Sequence, residues 1–150
     1  SMVRTVNPDI HIIFTVSPLR YLGQGAHINS ISKATLLLAI DSVVRTFPST
    51  HYFPSFEIMM DDLRDYRFYA DDMKHPTDQA VRYIYDIFSA TYFSPSTRDL
   101  AAQSRRLTRR LAHRPMGGTP ADDTSQIIEE FTKAHPLLAP IIDRYISNGL

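Results

Sequence analysis

Cysteine is absent from all 150 residues, and that absence removes disulfide-stapled scaffolds, thiolate zinc centres and cysteine nucleophiles together. It leaves the redox compartment open, because oxidising and reducing surroundings both tolerate a cysteine-free chain. An excess of either charge is also lacking. The 16 Lys and Arg balance 16 Asp and Glu, so no global field draws the chain to nucleic acid or to an anionic membrane, and neither partner is expected. No apolar run approaches the roughly 18 residues that span a bilayer, and no charged-then-apolar leader opens the chain. A cytoplasmic location is therefore the favoured expectation. Ser1-Met2 reads as the remnant of tag cleavage before an initiating methionine, so the fold is taken to begin at residue 3 and the natural chain is expected to begin earlier.

What is present is apolar content of 43%, enough for the core of one domain. Residues 10–16 (IHIIFTV) are β-branched and aromatic with almost no charge, as in a strand covered on both faces by helices. Residues 30–47 predict a deeply buried helix, with Leu36, Ile40, Val43 or Val44, and Phe47 at helical spacing and Ser30 as its cap. A short strand is expected over 51–56, limited by Pro54, and strand–helix–strand implies a right-handed crossover. Residues 57–78 form an acidic, aromatic-rich centre. Pro76-Thr77 opens a helix running to about residue 90. A further helix follows Ser94, with Pro95 in its first turn and a Leu100, Ser104, Leu107, Leu111 stripe, and residues 114–120 break it. The last helical region, 123–147, is expected to be interrupted near Pro136 and Pro140. Two strands are few for so much helix, and the sheet looks incomplete.

The sharpest local feature is Asp72-x-x-His75, set just before a proline-started helix. A histidine acting as general base needs its second ring nitrogen held by a carboxylate, which fixes the tautomer and stabilises the imidazolium formed in proton transfer. The same spacing also fits a histidine that merely caps or packs at a helix start. Local pattern leaves both readings standing.

The run from Tyr52 through Phe56-Glu57-Ile58-Met59-Met60, Leu63-Arg64-Asp65-Tyr66-Arg67-Phe68-Tyr69 and on to Asp72 and His75-Pro76 closely resembles the GSCFA family, a branch of the SGNH (GDSL-like) hydrolases. Thr15-Val16-Ser17-Pro18 and Asn29-Ser30-x-Ser32-Lys33-Ala34 resemble it too, so the likeness covers roughly residues 10–90. The resemblance implies that Asp72 and His75 are two members of a Ser-His-Asp triad. It also implies a departure: the Gly-Ser-Cys-Phe-Ala motif that carries the family's serine cannot occur in a chain without cysteine. The expectation is thus an α/β fold, the helix-rich C-terminal portion of a three-layer α/β/α, flavodoxin-like domain with few parallel strands. Residues 3–93 would be that portion and 94–150 a helical extension packing on it. The intact protein would be a serine ester hydrolase or acyl-transfer enzyme acting on an ester, an acylated small molecule or a glycan, with its serine and oxyanion donors upstream. This chain alone would be inactive. No cofactor and no metal is expected. The alternative is a non-enzymatic module that associates with itself or with the missing upstream half, and this chain by itself is expected to form a homodimer.

Other residues carry weaker signals. Ser17 lacks the glycine-flanked turn of a nucleophile elbow and Ser55 sits among aromatics. Asp61, Asp62, Asp65, Asp71 and Asp72 with His75 offer oxygen and imidazole ligands for a divalent ion, although Arg64 and Arg67 are the better partners for those carboxylates. Glu57, Arg64, Arg67, Tyr66 and Tyr69 are expected to brace the loop that holds Asp72 and His75. Arg105, Arg106, Arg109, Arg110 and Arg114 with His113 read as a solvated basic face, and His11, His27, His51 and His135 as structural.

Overall fold

A short helix, α1 (Met2–Val6), precedes strand β1 (Ile12–Phe14), which pairs in parallel with β2 (Thr50–Tyr52) in the register Ile12–Thr50, Ile13–His51, Phe14–Tyr52. These elements belong to a computed structural model that describes residues 2–112 and 121–147, divided into two compact units, Ser1–Tyr92 and Phe93–Leu150. The fold is α/β and helix-rich, with a two-stranded parallel sheet among the described residues. Both strands are shorter than residues 10–16 and 51–56. The Ile12 N–H bonds the Ser49 carbonyl at one end of the ladder, and the Phe53 N–H bonds the Phe14 carbonyl at the other. Pro54 follows with no N–H to give, so the ladder stops.

Between the strands runs α2 (Ala26–Thr46). It begins four residues before the expected Ser30, because Gly25 at φ 89° turns the chain in and its carbonyl accepts the first intrahelical bond, from the Asn29 N–H at 3.1 Å. Ser30 is no cap: its hydroxyl bonds back to the Ala26 carbonyl at 3.1 Å. Nor is the helix deeply buried. None of its residues is buried, and Leu36 and Leu38 stand 49% and 72% exposed. Strand β1 likewise has no fully buried residue, so the expected cover on both faces is not seen among the described residues.

The core of this unit lies beyond β2. Pro54 and Ser55 turn the strand into α3 (Ser55–Glu57), which widens into a π turn, Ile58–Leu63, closed by a bond from the Arg64 N–H to the Met59 carbonyl. Arg64 then takes the left-handed conformation at φ 52° and ends the helix. Met59 and Phe68 are buried with Ala80, and Leu63, Tyr69 and Ile84 pack around them. Phe53, Phe88 and Tyr92 form a second aromatic cluster with ring centroids 5.0–6.1 Å apart. Helix α4 (Asp78–Tyr92) starts where expected, its N-terminus capped by the Thr77 hydroxyl, which accepts from the Ala80 N–H.

In the second unit, Ser94 caps α5 (Pro95–Ala112) through the Thr97 N–H, and Leu107 of the expected stripe is buried. The side chain of Leu111 and the break expected over 114–120 lie outside the described residues. Helix α6 (Ala121–Ala134) ends before a 3₁₀ turn, Pro136–Leu138, where a break was expected. Pro140 makes no second interruption. It sits in the first turn of α7 (Ala139–Ser147), where its missing N–H has no helical partner to lose.

Candidate functional site

The segment between Phe68 and Thr77 is a tight loop with almost every backbone group committed. The Thr77 N–H bonds the Phe68 carbonyl, the Ala70 N–H bonds the His75 carbonyl at 2.7 Å, and Tyr69 and Pro76 form an isolated antiparallel bridge. Inside it, Met73 turns left-handed at φ 59°. Asp72 is the knot: its Oδ1 accepts from the Lys74 N–H at 2.9 Å and the His75 N–H at 3.0 Å, an Asx turn that folds the loop back on itself. That leaves Oδ2 for the imidazole, and His75 Nδ1–H donates to it at 2.5 Å.

Sequence spacing therefore becomes a dyad through one local device, because the turn that Oδ1 enforces points Nδ1 at Oδ2. The bond sets the neutral tautomer with the proton on Nδ1 and the lone pair on Nε2. Nε2 has no partner among the described residues, and the His75 side chain is 64% exposed, so the free nitrogen opens to solvent. The backbone bond from His75, then its ring, then the Lys74 N–H hold the Asp72 carboxyl well below the usual carboxylate range. An ionised partner is what a general base requires when it becomes an imidazolium.

What braces this loop differs in part from expectation. Arg20, which drew no attention in the sequence, donates its backbone N–H to the Lys74 carbonyl at 3.1 Å and its guanidinium to the Met73 carbonyl at 3.5 Å. The same guanidinium lies over the rings of Tyr66 and Tyr69, 5.7 and 5.6 Å from their centroids. Tyr69 also reaches the Pro18 carbonyl. Glu57 instead accepts both of its bonds from the Tyr52 hydroxyl, and Arg67 pairs with Asp65 and covers Phe68. Neither contact reaches Asp72 or His75. Arg20 was invisible because most of its bracing is done by its backbone and by rings fifty residues away.

The other candidates separate cleanly. Ser55 is 6% exposed, and its hydroxyl donates to the Val16 carbonyl at 2.9 Å while accepting from Thr15, which makes it a tether between the segment after β1 and α3. Ser17 is exposed, and its oxygen accepts the Leu19 N–H. The six possible ligands from Asp61 to His75 do not converge: no three acidic or imidazole side chains among the described residues are grouped to hold a metal ion. His11 Nδ1 and His51 Nε2 meet at 3.1 Å with their rings stacked, and His135 bonds Gln103, both structural contacts. His27 is exposed on α2, and Arg105, Arg106 and Arg109 are exposed on α5. The side chain of Arg110, and all of His113 and Arg114, lie outside the described residues.

Compared with known families, the chain matches the model of the GSCFA family over residues 1–88. The chain belongs to the GSCFA family. The match covers both strands, the π turn and the whole Asp72–His75 loop, and it ends within α4. No curated protein and no solved structure matches the chain. GSCFA membership points to a GDSL-like hydrolase family. Among the described residues of this GSCFA chain, no helix is long and apolar enough to cross a membrane.

Proposed function

We propose that this chain supplies the acid–base half of a serine hydrolase of the SGNH type, acting on an ester, an acylated small molecule or an acylated glycan. The observation that carries the reading is the bond between Asp72 Oδ2 and His75 Nδ1, with Nε2 left open on an exposed ring. A serine upstream of this chain attacks the acyl carbonyl, and its hydroxyl proton passes to His75 Nε2. Asp72, held ionised by its backbone bonds, stabilises the resulting imidazolium. The proton then goes to the departing alcohol oxygen as the acyl bond to it breaks, leaving an acyl-serine. In the second half, His75 takes a proton from water as the water oxygen attacks, and returns it to the serine oxygen as the acid leaves.

The test is a comparison of two chains on short-chain aryl esters. The 150-residue chain is expected to show no turnover above its own His75→Ala variant, whereas a chain extended upstream of Met2 turns over and loses that activity with His75→Ala. Turnover by the 150-residue chain that depends on Ser17 or Ser55 would show that the nucleophile has been misassigned.

A second reading rests on a different observation. Helix α2 buries no residue and carries Ile31, Leu36 and Leu38 in the open, beside a sheet whose two strands have no further neighbour among the described residues. In that reading the chain is an interaction module, and the partner that covers these surfaces is a second copy of itself.

A further inference from the structure

Within the Ser1–Tyr92 unit, a cavity of about 460 Å³ lies between the N-terminal half of α2 and the π turn, and neither Asp72 nor His75 lines it. That volume is in the range of small-molecule sites. Leu37, Phe56, Met59 and Met60 give it an apolar floor. Its polar wall is dominated by donors, with Arg20, Lys33 and Arg64 all lining it. Asp65 is the sole carboxylate among the described lining residues, and it is already committed: Oδ1 accepts the Arg67 N–H, and Oδ2 faces Arg67 Nε at 3.5 Å.

Three cationic residues thus line one space, and none has a carboxylate partner among the described residues. Lys33 is held by the Ser17 carbonyl at 2.5 Å and lies 5.9 Å from the Phe56 ring, where partial burial lowers its pKa. Asn29 adds to the bias, because its Oδ1 is taken by the Tyr21 N–H and only its NH₂ remains for the cavity. Lys33 is partly desolvated with no carboxylate to answer it, and an oxyanion beside it would supply the countercharge. A purely apolar occupant leaves the cations unanswered, and a bare inorganic ion leaves the methionine floor unused.

We propose that this cavity binds a small organic anion, its apolar body on Met59 and Met60 and its carboxylate or phosphate head against Arg20, Lys33 and Arg64. The proposal stands apart from the hydrolase reading, since binding needs neither the dyad nor a serine. Arg20 nevertheless belongs to both places, because it also bonds the carbonyls of Met73 and Lys74 in the dyad loop.

Methyl-labelled methionine in the full chain reports occupancy directly. Titrations use phenylbutyrate, phenylbutyl phosphate and the uncharged phenylbutyramide. At least one anion is expected to shift the Met59 and Met60 methyl signals saturably, and the amide to bind roughly tenfold more weakly or less, the loss of one charge-assisted contact. Arg64→Asn keeps the left-handed backbone that asparagine tolerates, and Lys33→Met keeps the side-chain length. Weakening by about the same factor in either variant supports the site. Three outcomes overturn it: no saturable shift by either anion at millimolar concentration, an amide that binds as tightly as the anions, or both variants binding like the parent. His75→Ala is expected to leave the titration unchanged, so an absence of ester turnover in the extended chain says nothing against the cavity.

Discussion

Asp72 performs two jobs with two oxygens, and a substitution can separate them. Asn at this position keeps Oδ1 for the Lys74 and His75 N–H groups, so the turn survives. Its NH₂, however, now faces Nδ1 and forces the proton to Nε2, where the ring can no longer accept one. Asp72→Asn is therefore expected to lower kcat in the extended chain by roughly 10³–10⁴-fold, as wrong-tautomer variants of other triads do. Its melting temperature near neutral pH should fall, but by less than that of Asp72→Ala, because Asn keeps the turn bonds and loses only the carboxylate's charge. A melting loss as large as that of Asp72→Ala, with kcat intact, would instead support the helix-start role for His75. Acid separates the two oxygens another way. The folded carboxyl lies below its unfolded pKa, so its stabilising contribution is complete above the ordinary carboxylate range near ~3.9 and fades as pH falls through that range towards the depressed value. Urea unfolding of the parent and Asp72→Asn chains should therefore differ by a constant amount down to about pH 4 and draw together below it. A gap that stays constant below that pH would mean that the carboxylate charge contributes nothing to the loop. At this scale the sequence was legible where chemistry is local: Asp72 and His75 are three residues apart and one turn joins them. Arg20 was not, since nothing in its neighbours announces contacts with residues 66–74.

Elements were read well where a breaker or cap marked them and badly where a side chain had two uses. Thr77 and Ser94 mark the starts of α4 and α5 as caps should, and Pro136 marks the break after α6. Ser30 resembled a cap yet bonds its own helix, while Gly25, with no side chain to signal anything, does the turning. The π turn over Ile58–Leu63 has no periodic signature, because one extra residue per turn moves Asp61 and Asp62 outward while Met59 stays buried. Ser55 lies at the joint between strand and turn, and its hydroxyl answers two groups of the segment that follows β1. Ser55→Ala leaves the Val16 carbonyl without that donor and the Thr15 hydroxyl without its acceptor, so it should cost about 1–3 kcal/mol in denaturant unfolding. The same change should leave ester turnover by the extended chain intact at a temperature where it stays folded. Loss of turnover without loss of stability would reverse the assignment and make Ser55 a catalytic residue.

Across the whole molecule, apolar surface and open sheet edges point the same way. A helix as rich in leucine and valine as α2 predicts burial, and the sequence was misleading here because composition reports what a segment needs, not whether the chain supplies it. The structure shows the need unmet: no α2 residue is buried, and the β1–β2 pair has no further strand on either side among the described residues. Net charge is zero, so long-range repulsion does not keep two copies apart. An isologous contact through α2 would let each copy cover the other's Ile31 and Leu38, seven residues apart on one face of the helix, while Leu36 lies on another. At about 25 cal/mol per Å², burying several hundred Å² of apolar surface contributes several kcal/mol before the loss of translational and rotational freedom is subtracted. The expected species at micromolar concentration is therefore a dimer, twice the 17.1 kDa of one chain, by light scattering behind a sizing column. Leu38→Glu places a charge on the most exposed of these leucines, where a monomer tolerates it and a packed interface does not, and should return the chain to a monomer with its helical signal unchanged. A parent chain that stays monomeric across a hundred-fold dilution from its highest soluble concentration would sink the dimer and with it the interaction-module reading.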